Sequence, residues 1–208
     1  MNNYVVAITR TCGSGGTTIA RMLAKELNIG MYDRELLRLA SDDSGINQEL
    51  FIKADEDMKR KPLFRASKAV YTGELIPPES KDYTSNNNLF NFQAKVLKEL
   101  THEESYVIIG RAADFILKDF PNLIRVFIHA DNETCISHTM EYYGMSHDKA
   151  MQYISTTNEF RSAYYKYYSG REWRNVENYD LSLDTGKYSY DQCSDIIKIM
   201  IKKKALFR

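Results

Sequence analysis

No feature of this chain constrains its fold more than residues 4–18, YVVAITRTCGSGGTT. The first six residues form a short run rich in β-branched side chains, the composition of a buried strand. A cluster of glycines and hydroxyl residues follows. Beyond it, Ile19, Leu23 and Leu27 recur at the i, i+4 interval of a helix face. Strand, tight loop and helix therefore succeed one another with almost no spacer.

The rest of the chain repeats this alternation. Asn28 and Gly30 supply a stop signal, and GMYDRELLRLA starts as an extended piece whose Asp33 suits the N-cap of a helix beginning at Arg34. Between Ser41 and Asn88 the pattern loosens. KADEDMKRKP is a solvated charge run, IPPE cannot lie inside a regular element, and SKDYTSNNN is turn-rich, so helices with a mobile loop are expected. A helix is predicted over 89–100, the strand SYVIIG over 105–110, a helical ADFIL over 113–117 and the strand LIRVFIHA over 123–130. Further helices are expected from Asp131 and over 146–168, then the strand YDLSLDT over 179–185. A terminal helix carries Cys193, Ile196, Ile197, Met200 and Ile201 on its apolar side. Short apolar strands alternating with amphipathic helices predict one α/β domain, a three-layer α/β/α arrangement with a parallel sheet. Ligands of such sheets bind beyond the carboxyl ends of the strands. Gly13–Thr18 follow the first strand, Asp33 the second, Arg111 the third and Asp131 the fourth.

Several function classes are disfavoured. Lysine plus arginine and aspartate plus glutamate number 28 each, so no general attraction to nucleic acid or an anionic membrane is built in. Any anion site has to be local. Cys12, Cys135 and Cys193 are far apart and show no zinc spacing; they are expected to be free thiols in a reducing cytoplasm. His102, His129, His138 and His147 lack metal-like spacing as well. No leader peptide and no apolar run of membrane-spanning length is evident.

The glycine loop is the strongest local signal. Gly13, Ser14, Gly15, Gly16, Thr17 and Thr18 can turn successive backbone N–H groups into one concavity at a helix start, where the helix dipole also favours phosphate. Thr17 or Thr18 could offer a hydroxyl to Mg²⁺, with Thr18 the candidate metal ligand. The glycines would equally serve a plain strand-to-helix turn. Against the phosphate-loop signature G-x-x-x-x-G-K-[ST], Arg10 occupies the place of the first glycine and Gly16 that of the lysine. Arg10, Arg21, Lys25, Arg111 and Arg161 are the candidate replacement cations. Arg10 could instead form a structural salt bridge to Asp33. Arg111 suits bidentate phosphate recognition, or an ion pair with Asp114 or Glu35. Asp33 could orient a magnesium water, act as a base, or merely cap its helix. For Asp131 a capping role is the simpler reading.

The pieces ITRTCGSGGTTIA, MYDRELL, VIIGRAADFIL, VFIHADNET, FRSAYYKYY and NYDLSLDTG, in this order, resemble the cytidylate kinase-like branch of the P-loop nucleoside monophosphate kinases. The resemblance implies ATP-dependent phosphoryl transfer, with ATP or another nucleoside triphosphate and Mg²⁺ as cofactors. It implies a helical acceptor-binding insert, about 41–100, and a lid, about 160–174. It places Arg111 where these kinases carry an arginine on the acceptor nucleotide, and Arg161 like the first lid arginine. Gly16 in place of the loop lysine, Ile109 in place of an aspartate, and an arginine-free TCISH (134–138) depart from the pattern.

Within 160–174, Arg161, Lys166, Arg171 and Arg174 alternate with aromatics that could cover a nucleotide or form a homodimer contact. The expected function is a phosphotransferase acting on a nucleotide or other small phosphorylatable acceptor. A catalytically impaired nucleotide-binding sensor or scaffold and a P-loop kinase of a non-nucleotide metabolite are the alternatives.

Overall fold

The computed structural model describes residues 3–60 and 71–206. In chain order these form β1 (Val5–Arg10), α1 (Gly16–Leu27), β2 (Gly30–Tyr32), α2 (Glu35–Ser44), α3 (Gln48–Arg60) and α4 (Asn86–Glu103). There follow β3 (Tyr106–Ile109), α5 (Ala113–Ile116), β4 (Leu123–His129), α6 (Asn132–Tyr143), α7 (His147–Ser169), β5 (Leu181–Asp184) and α8 (Tyr190–Leu206). The five strands pair parallel in the order β2-β3-β1-β4-β5.

The central strand explains the layering. Along β1, Val6 and Ile8 point to one face, where Ile19 and Leu23 of α1 and Cys193 and Ile197 of α8 cover them. Val5 and Ala7 point to the other, beneath α2, α4 and α5 and the buried tyrosines of α7. A strand covered on both faces needs apolar residues at every position, which is why VVAIT shows no polar alternation. The α/β/α expectation is met, and all five expected strands are present. Among the described residues no helix is long and apolar enough to cross a membrane.

Two features of this region matter for the site. The charge run around residue 55 is the body of α3, one of the helices expected there. Its residues are good helix formers, and Phe51 and Ala54 turn inward while Lys53 and Glu56 stay exposed. Helix α4 begins inside the polar tract, where Ser85 Oγ accepts from the Asn88 N–H at 3.3 Å. Within the bounds expected for an insert, Phe51, Leu89 and Leu97 belong to the same core as the sheet. The expected mobile loop falls partly on residues 61–70, outside the described residues.

Candidate functional site

The loop after β1 forms a cup closed at its rear by other elements. Gly13 and Gly15 adopt φ of 81° and 75°, which side chains resist, and both are hemmed in. A Cβ on Gly13 would lie 2.4 Å from the Cys135 carbonyl oxygen, and one on Gly15 2.3 Å from the Tyr190 ring. Helix α1 starts at Gly16, so its first-turn N–H groups have no partner within the helix and open into the cup. Thr17, Thr18 and Arg21 line it from α1, and His138 and Tyr190 from α6 and α8. Ser14 does not line it. Its Oγ donates to the carbonyls of Thr11 (2.9 Å) and Ile128 (3.2 Å), and its N–H donates to Thr11 at 3.4 Å. The expectation that Ser14 contacts ligand is therefore corrected: it shapes the loop from beneath.

Arg10 runs from the end of β1 across the face of the loop. A Cβ on Gly16 would sit 2.6 Å from Arg10 Cβ, and one on Gly110 2.7 Å from Arg10 Nη1. The arginine stem thus fills the space a side chain at position 16 would need, and Gly110, at φ 68°, makes room for the guanidinium. Arg10 Nε is buried and has no hydrogen-bond acceptor. Burial, then the positive charges of Arg161 and Arg111, pull the Arg10 pKa down to about 9, with Asp33 opposing. The Arg10–Asp33 salt bridge, the alternative reading of Arg10, is not among the ion pairs of the described residues. Asp33 acts on the cation through space instead. Nor does Asp33 cap α2, whose N-cap is Arg34.

Two cavities meet at this arginine. The cup opens into a space of about 580 Å³. A second cavity of about 440 Å³ lies beyond β2 and β3 and is lined by Asp33, Asp55, Arg111, Phe160 and Tyr164, among others. Among the described residues only Arg10, Tyr153 and Arg161 line both. Arg161 Nη1 donates to the Arg10 carbonyl at 3.2 Å, and Asn158 Oδ1 accepts the Cys12 N–H at 2.8 Å, so α7 is fastened to the loop at two points. Burial lowers the Arg161 pKa.

Arg111 is held differently. It pairs with Asp55 of α3 at 2.6 Å and reaches Gln93 Oε1 at 3.3 Å, rather than Asp114 or Glu35. Burial opposes its charge, yet Asp55 outweighs it and holds the Arg111 pKa above the ordinary arginine value. Arg111 and Ala112 have φ of 60° and 51°, a left-handed backbone that costs about 1–3 kcal/mol per non-glycine residue. Strain is stored where β3 delivers its arginine.

The sequence matches the cytidylate kinase-like family over residues 5–187. The chain belongs to that family. A crystal structure of an uncharacterized protein from Eubacterium ventriosum is 27% identical, with a TM-score of 0.70 and coverage of 96% of this chain and 99% of that one. Shikimate kinase from Bacteroides thetaiotaomicron shares the fold at 13% identity, TM-score 0.51 and coverage of 96% and 98%. No curated protein matches the sequence. Family and fold are those of kinase-like phosphotransferases.

The aromatic stretch expected to act as a lid does something else. Residues 160–169 are the last part of α7, and Tyr164, Tyr165, Tyr168 and Trp173 are buried in the core beside α4 and α5. Arg171 lies over the Phe115 ring at 5.2 Å and Arg174 over Trp173 at 5.8 Å, while Lys166 pairs with Glu172. Of that basic set only Arg161 lines the two cavities. The i, i+4, i+8 spacing of Phe160, Tyr164 and Tyr168 was the available signal for a buried face. Asp131 caps α6, accepting the Thr134 N–H at 2.9 Å. Asp55 and Gln93 carried no sequence signal, since their partner lies 56 and 18 residues away. Cys12, Cys135 and Cys193 are buried free thiols whose pKa values burial raises.

Proposed function

We propose that this chain transfers a phosphoryl group from a nucleoside triphosphate to a nucleoside monophosphate or another small phosphorylatable molecule, with Arg10 serving in place of the loop lysine. The observation that carries the reading is Arg10 itself, a cation at the junction of two cavities whose buried Nε has no partner among the described residues. A buried donor without an acceptor is costly, and a phosphate oxygen placed there removes the cost.

The residues present suit the nucleotide. The glycine cradle would collide with any Cβ, and the first turn of α1 offers N–H groups to the phosphates. Thr17 and Thr18 would hold the magnesium brought with the nucleotide. That ion supplies charge neutralisation on the phosphates. Among the described residues no cluster of three or more His, Cys, Asp or Glu could hold a resident metal. In this reading Arg10 and Arg161 flank the phosphoryl group in transit and stabilise charge that grows in the transition state. Arg111 and Asp33 orient the acceptor in the second cavity, and Asp33 accepts the proton if the acceptor is a hydroxyl.

One observation favours a binding protein without transfer. Arg111, the acceptor-side cation, is already neutralised by Asp55. Incubation with Mg-ATP or Mg-GTP and a panel of nucleoside monophosphates and hydroxylated metabolites decides between the two. Phosphorylated product is expected; saturable nucleotide binding without any product would leave the sensor.

A further inference from the structure

The corner where α6 turns back into α7 carries aromatic surface that the transfer step leaves unused. Tyr142, Tyr143 and Tyr153 are 76%, 51% and 37% exposed. Their rings meet edge to face, Tyr142 with Tyr143 at 4.8 Å and Tyr143 with Tyr153 at 5.3 Å between centroids. The Tyr153 hydroxyl donates to that of Tyr143 at 3.5 Å. Clustered aromatic faces in water mark binding surfaces far more often than scattered ones do. All three line the same cavity as the glycine cup.

Helix geometry indicates what reaches them. Tyr153 and Arg161 are eight residues apart on one face of α7, so Tyr153 stands about 12 Å along the axis from Arg161. Arg161 sits at the cavity floor, bonded to the Arg10 carbonyl. A polyphosphate in the cup, with its last phosphate between these two arginines, leaves its other end free to rise along this face. The molecule that fits is anionic at one end and flat and aromatic at the other.

We infer that Tyr142, Tyr143 and Tyr153 hold the base of the donor nucleotide by stacking, an inference that rests on the phosphotransferase reading above. The aromatic face expected in 160–174 is thus supplied by the α6–α7 corner. Stacking is tolerant of base identity, because every base has a π face. Donor choice between adenine and guanine nucleotides is accordingly weak.

Isothermal titration of the full chain with Mg-ATP and with Mg-tripolyphosphate tests this, using the Tyr143→Ser/Tyr153→Ser variant and its Tyr143→Phe/Tyr153→Phe counterpart. The serine variant should bind Mg-ATP about 5- to 150-fold more weakly, the stacking range converted at one decade per 1.4 kcal/mol. It should bind tripolyphosphate as the unaltered protein does, and the phenylalanine variant should bind both normally. Equal weakening for both ligands would overturn the inference by assigning the tyrosines to the phosphates. Weakening in the phenylalanine variant would overturn it in favour of the hydroxyls. Unchanged Mg-ATP affinity in the serine variant with a changed sedimentation coefficient would show a contact between copies instead. If tripolyphosphate does not bind the unaltered protein, the phosphate cup itself fails and the inference falls with it. If tripolyphosphate binds as tightly as Mg-ATP, only the base site fails.

Discussion

Arg10 ends β1 and Arg111 follows the end of the neighbouring β3; both are largely withdrawn from solvent, and both line the second cavity. Arg111 has found its counter-charge within the chain, at 2.6 Å from Asp55. Arg10 has not: burial and two neighbouring guanidinia press its pKa down to about 9, and its Nε has no acceptor. Buried charges persist when they are paired, and removing one partner of such a pair is strongly destabilising. Arg111 is therefore electrostatically satisfied as the chain folds. The cup is complete only when an anion enters it.

The largest test of this contrast is Arg10→Met. Loss of a preorganised charge at the transferring group should lower kcat about 10²- to 10³-fold. Calorimetry of the ligand-free variant should show a higher Tm than the parent, because an uncompensated buried cation has gone; a lower Tm would mean that Arg10 is compensated after all. Next, Asp55→Asn should turn Arg111 into a second Arg10. Denaturant melts should show a loss of about 2–4 kcal/mol, at or below the usual cost of breaking a buried pair, since Asp55 retains some exposure. Sulfate added to that variant should restore much of the loss.

Smaller effects sharpen the same picture. Gly16→Lys alone should cost about 1–3 kcal/mol through overpacking against the Arg10 stem. Combined with Arg10→Gly it should recover stability, and it should raise kcat above that of Arg10→Gly alone. Asp114 is the acidic counterpart of Arg10. It is 1% exposed, with Oδ1 unpartnered and Oδ2 accepting from the Tyr165 hydroxyl at 2.6 Å, and burial raises its pKa to about 6. A carboxyl whose folded pKa exceeds its unfolded value binds a proton more tightly when folded. It therefore withdraws stability as pH rises from about 4 to about 6. Asp114→Asn should flatten that slope and raise stability at pH 7 by about 1–2 kcal/mol, measured by melts across the range.

The strands and the cup were readable in the sequence because both write themselves locally: β-branched runs for one, glycines before a helical stripe for the other. The departure from the phosphate-loop signature was on view as well, with arginine at the signature's first glycine and glycine at its lysine. The reason was not, because the 2.6 Å approach of position 16 to Arg10 exists only once α1 packs beside β1. For Asp33 the sequence left a cap and a site role side by side, because its local context suits a cap, while the nearby arginines come from the end of β1, the turn after β3 and α7. The 160–174 stretch misled for the opposite reason. Basic and aromatic residues interleave there as they would over a nucleotide, yet most of its aromatics bury themselves between α7 and the sheet. Charge–aromatic patterning alone does not say which side of a helix faces in.

Among the described residues the cations that line the cup are Arg10, Arg21 and Arg161, and no lysine lines it. Reagents that acylate amines, including nucleotide analogues built to label the lysine of a phosphate loop, find no amine among the described residues that line it. Enzymatic acetylation has no target there either. Its three arginines leave the cup open to guanidinium-directed dicarbonyls, and an anion bound there is what would shield it.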